Sequence, residues 1–197
     1  METAVAKKLK QHRVCPWWLA YMFDNPLRRM MHPPEKLLGR YVAEGMTVLD
    51  LGCGFGHFSI GMARIVGETG KVWAVDLQDR MLQTMLRRAA KQGMEERIVA
   101  HRCGPAGLGL TERIDFALAA NVLHEVPDLR KTLDEIRSLL CPGGLLYVME
   151  PAGHISRERF EAEIAIVRDL GFVERSRPEV LREHCVLLEA PETKSRA

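Results

Sequence analysis

A chain of 197 residues with 47% hydrophobic and 27% charged residues can bury one sizeable core and has the composition of a globular domain. Its net charge of +2 gives no electrostatic case for nucleic acid or an anionic membrane, and no run approaches the roughly 18 apolar residues of a membrane helix. Five scattered cysteines without a C-x-x-C pair argue against a disulfide framework or a zinc site, and place the chain by default in a reducing cytoplasm.

Residues 1–40 are the basic part, with a charge balance of +5 against −3 for the remainder. The run Val14–Phe23 behind several lysines superficially matches a signal peptide. It lacks a small-residue cleavage site, and Asp24-Asn25-Pro26 follows at once, so that reading is rejected. Trp17, Trp18, Tyr21, Met22, Phe23, Met30 and Met31 gather aromatic and methionine side chains beside Arg28 and Arg29. Residues 1–45 are therefore read as a short helical N-terminal extension. It serves as a lid that excludes water, as an interfacial helix reaching a lipophilic substrate, or as a packing cap.

From residue 46 onward strand and helix patterns alternate. Strands are predicted at Met46–Leu51, Lys71–Leu77, Arg97–His101, Ile114–Ala119, Gly144–Glu150, Phe172–Ser176 and Glu183–Glu189. Helices are predicted at His57–Val66, Arg80–Gln92, Leu129–Leu140 and Arg157–Leu170, where apolar residues recur at helical spacing. Cys141-Pro142-Gly143-Gly144 reads as a glycine stop that closes a helix and launches a strand. The glycine-rich run 103–110 reads as a loop. The last two strands have no room for a helix between them, so they should pair antiparallel across Arg177-Pro178-Glu179. This pattern predicts a Rossmann-like α/β domain over 46–190, a mostly parallel sheet covered on both faces, with a flexible tail at 191–197.

The chemistry concentrates at Val48-Leu49-Asp50-Leu51-Gly52-Cys53-Gly54-Phe55-Gly56, a buried strand running into three alternating glycines and then a helix N-terminus. That arrangement cradles nucleotide-like ligands. A dinucleotide site wants G-x-G-x-x-G, but His57 stands at the third glycine position and the third glycine comes one residue early. Asp50 would repel a pyrophosphate and attract an ammonium group. Asp76 ends the next apolar strand, where a carboxylate accepts both hydroxyls of a ribose. The ligand these residues call for carries a ribose and an amino group but no phosphate, and S-adenosylmethionine (SAM) meets all three requirements.

These segments, with Ile114-Asp115-Phe116, Asn121-Val122-Leu123-His124-Glu125-Val126 and Leu140-Cys141-Pro142-Gly143-Gly144, resemble the ordered motifs of class I SAM-dependent methyltransferases. The likeness spans residues 46–190 and is closest to the small-molecule branch that includes the ubiquinone and menaquinone methylases. It implies a seven-stranded sheet with the last strand antiparallel. It also implies methyl transfer to a small, possibly lipophilic molecule, with S-adenosylhomocysteine as co-product. By the same likeness, Gly52, Cys53 and Gly54 offer backbone to the methionine part and Asp50 sits near its amino group. Asp76 holds the ribose, and Leu77, Cys103 and Asn121 complete the cofactor cleft. The family usually has an adenine-binding acid after the third strand, whereas Cys103 and Gly104 stand there in this chain.

His124 is the candidate general base, competing with a purely structural role. An NAD(P)-dependent oxidoreductase is disfavoured by His57 and by the antiparallel final strands. A SAM-binding protein without catalysis stays open as an alternative.

Overall fold

The computed structural model describes residues 31–104 and 107–191. The aromatic and methionine cluster of residues 14–30 and the tail beyond residue 191 lie outside the described residues. The extension enters the described part at helix α1 (Pro34–Leu38), where Leu38 and Val42 are buried in the core. This part of it packs against the domain through those two side chains.

A seven-stranded sheet follows, formed by β1 (Thr47–Leu51), β2 (Lys71–Asp76), β3 (Ile98–Arg102), β4 (Ile114–Ala120), β5 (Leu140–Pro151), β6 (Val173–Ser176) and β7 (Glu183–Glu189). The spatial order is β3-β2-β1-β4-β5-β7-β6. Strands β1 to β5 pair in parallel, and β7 runs antiparallel to both β5 and β6. The consecutive C-terminal strands thus pair with each other as their short connection required.

Successive strand residues point to opposite faces, so one sheet feeds two cores. On one face Val48, Val72, Phe116 and Leu118 meet Phe58, Met62 and Val66 of α2 (His57–Val66) and Met85 of α3 (Asp79–Ala90). On the other, Leu49, Val75, Ala117 and Val148 meet Leu133 and Ile136 of α4 (Leu129–Leu139) and Ile164 and Val167 of α5 (Arg157–Asp169). Asp128 and Ser156 cap α4 and α5 by accepting the backbone N–H groups of Lys131 and Arg159.

One local expectation is corrected. Leu140 is not the last helical residue but turns extended (ψ 137°) and opens β5 by pairing with Ile114. The register then shifts between Ile114 and Phe116, so Cys141–Gly144 form a bulge inside β5 and not a glycine stop after a helix. Gly143 supplies the left-handed residue of that bulge at φ 74°. In the glycine-rich run, Pro105 and Ala106 lie outside the described residues, and none of the others is helical. Gly104 and Gly107 exchange two backbone hydrogen bonds of 3.1–3.2 Å, and Gly109 is left-handed.

Candidate active site

Sheet order reverses between β1 and β4, and the carboxyl ends of β1, β2, β4 and β5 border the crevice opened there. At the end of β1 the chain turns through Gly52, Gly54 and Gly56, all left-handed at φ 52–82°. A Cβ on Gly52 would stand 2.5 Å from Val122 and one on Gly56 would stand 2.3 Å from Met85. Those two glycines let the β4 loop and α3 close against the turn. Gly54 differs, because nothing lies within 4 Å of its missing Cβ. Its backbone is open to a ligand.

Asp76 ends β2 and is 8% exposed. Its Oδ2 accepts the Gly54 N–H at 3.0 Å and its Oδ1 accepts the Gln78 N–H at 2.9 Å. Burial raises its pKa above the ordinary carboxylate value, and the backbone donors oppose that shift. Cys53 donates its N–H to Val75 O and Cys103 donates its N–H to Asp76 O, which joins the ends of β1 and β3 to β2. Burial raises both thiols, and the Asp50 and Asp76 carboxylates add to the effect at Cys53. Leu77 is 37% exposed, directly after Asp76. Asp50, 1% exposed, accepts the Ser59 hydroxyl of α2 at 2.5 Å. Asp50, Gly52, Cys53, Gly54, Asp76, Leu77 and Cys103 thus gather at one end of the sheet.

Asn121 and His124 stand across the crevice, after β4. Asn121 adopts φ 58°, uncommon outside glycine but tolerated best by asparagine, and donates its N–H to Met149 O at 2.7 Å. This turn brings His124 down onto Glu150, the buried acid near the end of β5. His124 Nδ1 lies 2.5 Å from Glu150 Oε2, while Glu150 Oε1 accepts the N–H groups of Leu123 at 2.8 Å and Val122 at 3.2 Å. Burial alone would lower the imidazole pKa. The Glu150 hydrogen bond and charge, with Glu125 and Glu163 behind them, outweigh it and raise the pKa.

Glu150 was not singled out from sequence, although the signal was present. Tyr147-Val148-Met149-Glu150 is an apolar strand running into an acid, the same pattern that marked Asp76. Ser59, Arg159 and Glu163 carried no comparable signal, because only tertiary packing brings them to the site. His57 has a role other than the missing glycine's. It donates from Nε2 to His32 O at 2.8 Å and ties the glycine turn to the N-terminal segment.

A seven-stranded sheet of order 3-2-1-4-5-7-6, with a glycine turn and a strand-end acid at its switch point, defines a Rossmann-like methyltransferase architecture. A SAM-dependent methyltransferase from Aquifex aeolicus superposes with a TM-score of 0.78 at 26% identity, over 90% of this chain and 98% of that one. A family model described as a methyltransferase domain matches residues 43–184, and the chain belongs to that family.

Among its relatives, a ubiquinone biosynthesis O-methyltransferase of Caulobacter sp. is 36% identical over 145 residues, covering 70% of this chain and 52% of the relative. A demethylmenaquinone methyltransferase of Staphylococcus aureus is 30% identical over 109 residues, covering 55% and 44%. The chain thus spans about half the length of the curated relatives it matches.

Proposed function

We propose that the chain transfers a methyl group from SAM to a small lipophilic acceptor of the hydroxylated aromatic or quinol class, leaving S-adenosylhomocysteine. The observation that carries this reading is the bond between Asp76 and Gly54. It makes the β2 acid and the β1 glycine turn one rigid cradle. The cradle fits the cofactor. A carboxylate has about four acceptor positions, so Asp76 keeps acceptor capacity for a ribose hydroxyl beside its backbone donors. Gly54 leaves the space that a methionine tail requires. Asp50 supplies negative charge for an ammonium group, Cys53 and Gly52 supply backbone, and Leu77, Cys103 and Asn121 border the adenosyl part.

When bound, SAM supplies an electrophilic methyl group on a sulfonium. The protein's work is then to align the acceptor and remove its proton. Glu150 holds His124 through Nδ1, and Nε2, 3.7 Å from Glu125 Oε1, is the atom assigned to take the proton of an acceptor hydroxyl. Its proton passes to Nε2 as the acceptor oxygen gains the methyl group. The quinone methyltransferases among the relatives favour a lipophilic acceptor. Residues 1–45, read as a lid or cap, would close that side of the methyltransferase domain at 46–190. No helix among the described residues is long and apolar enough to cross a membrane.

The experiment is transfer of labelled methyl from SAM to a panel of polyprenylated and simple hydroxylated aromatics. The expected result is labelled product with at least one acceptor, reduced about 10²–10⁴-fold by His124→Gln while SAM binding is kept. SAM binding without transfer to any acceptor in the panel would favour the non-catalytic alternative.

A further inference from the structure

Helix α5 carries a buried charged pair directly behind the His124 turn. Arg159 donates from Nη2 to the His124 carbonyl at 3.0 Å and from Nε to Glu163 Oε1 at 3.1 Å. Their side chains are only 14% and 1% exposed. The other Glu163 oxygen, Oε2, is buried with no hydrogen-bond partner. An isolated surface ion pair at this i,i+4 spacing would be unremarked, but a fully buried carboxylate with one unsatisfied oxygen is costly. Its retention calls for a role that hydrophobic packing would not fill.

We propose that Arg159 and Glu163 are positioning residues for His124: Arg159 pins its backbone carbonyl, and Glu163 holds Arg159 in place and adds its charge to the same cluster. The proposal rests on the reading of His124 as the base, and extends it from the turn to α5. The groups around the imidazole come from every neighbouring element. They are Glu150 of β5, Glu125 beside it in the turn, His154 after β5 with its ring 5.3 Å away, and Arg159 and Glu163 of α5. His184 of β7 stands behind them, bonded to Ile155 O and packed on Phe160.

Burial and the Glu150 charge raise Glu163 to about 7, despite Arg159. Glu163 is thus neutral in mild acid and charged in mild base. Ionisation of Glu163 adds a negative charge that favours imidazolium, so the two groups titrate as a coupled system. The device holds the proton on His124 to higher pH than Glu150 alone would.

The test is an NMR titration of the histidine rings in the full chain, with His124→Gln identifying the His124 signal. In Glu163→Gln the His124 midpoint is expected to fall by about half to one pH unit, and its transition to sharpen to a single step. Glu163→Met, neutral and of similar length, should give the same shift and serves if Gln at that site unfolds the chain. In Arg159→Lys, which cannot make both bonds, hydrogen exchange across residues 123–126 should accelerate. A His124 titration unchanged in a folded Glu163 variant would overturn the proposal and leave the pair purely structural. The ring titration needs no acceptor, so the two readings fail separately. A moved midpoint with full methyl transfer in His124→Gln rejects the base and keeps the coupling, whereas an unmoved midpoint with abolished transfer does the reverse.

Discussion

Three acids near residues 50, 76 and 150 end apolar strands, and each finds a different use for its lone pairs. Asp50 takes a serine hydroxyl, Asp76 takes two backbone donors, and Glu150 takes two backbone donors and a histidine. His124 and Glu163 both have raised pKa values, and both affect stability in the same direction with rising pH. For His124, the stabilisation from Glu150 is complete below its unfolded value near 6.5 and is lost as pH rises through the higher folded value. For Glu163, the folded state must ionise a buried acid, so stability falls as pH rises from 4.5 to about 7. Wild-type Tm should therefore decline from pH 5 to pH 8, and Glu163→Gln should flatten that decline by removing a pH-dependent loss of unfolding free energy on the order of 1–3 kcal/mol. A pH profile of Tm with the same slope in both proteins would contradict it. Asp50, Asp76 and His124 were readable in the sequence because each sits beside a strand end or turn that its neighbours announce. Arg159 and Glu163 were not, since they look like ordinary charges on an amphipathic helix.

At the scale of elements, the segment between β3 and β4 holds the departure that the sequence exposed but did not explain. No carboxylate occupies position 103 or 104, yet one arrives from outside the loop. Glu135 of α4 accepts the Leu108 N–H at 2.5 Å, and its carboxylate fills the space beside Gly107, where a Cβ would lie 2.3 Å from Oε1. His101 of β3 donates to Leu108 O at 2.6 Å from the other side. Glu135 contributes to the raised pKa of Cys103, so its charge reaches the end of β3. Glu135→Ala would leave a buried N–H unpaired at Leu108 and loosen the wall beside Cys103. SAM affinity should fall by about tenfold, roughly 1.4 kcal/mol, measured by calorimetric titration. Unchanged affinity in a folded variant would separate this loop from the cofactor site. The loop itself was readable from its glycines, and its anchor was not, because a contact 27 residues away leaves no local pattern. The bulge in β5 was misread for a related reason. Pro142-Gly143-Gly144 has the composition of a helix stop, but pairing of Leu140 with Ile114 starts the strand before it.

For the whole molecule, alternating apolar runs were enough to read a parallel sheet with an antiparallel end, because each burial pattern follows from one strand and one helix at a time. The family likeness implied seven strands with the last one antiparallel, which the pairing shows, whereas the order of the strands and the crevice between β1 and β4 are seen only in the folded sheet. The N-terminal segment joins this frame through α1, through the bond from His57 to His32, and through the bond from His32 Nε2 to Leu181 O. The central claim is that the β1 turn and the β2 acid together form a SAM cradle. Calorimetric titration of the full chain with SAM, alongside NAD and the Asp76→Ala variant, tests it most directly. Saturable SAM binding at one site, no NAD binding, and a loss of SAM affinity on the order of 10–100-fold in folded Asp76→Ala are expected. Saturable NAD binding without SAM, or full SAM affinity in the variant, would contradict it.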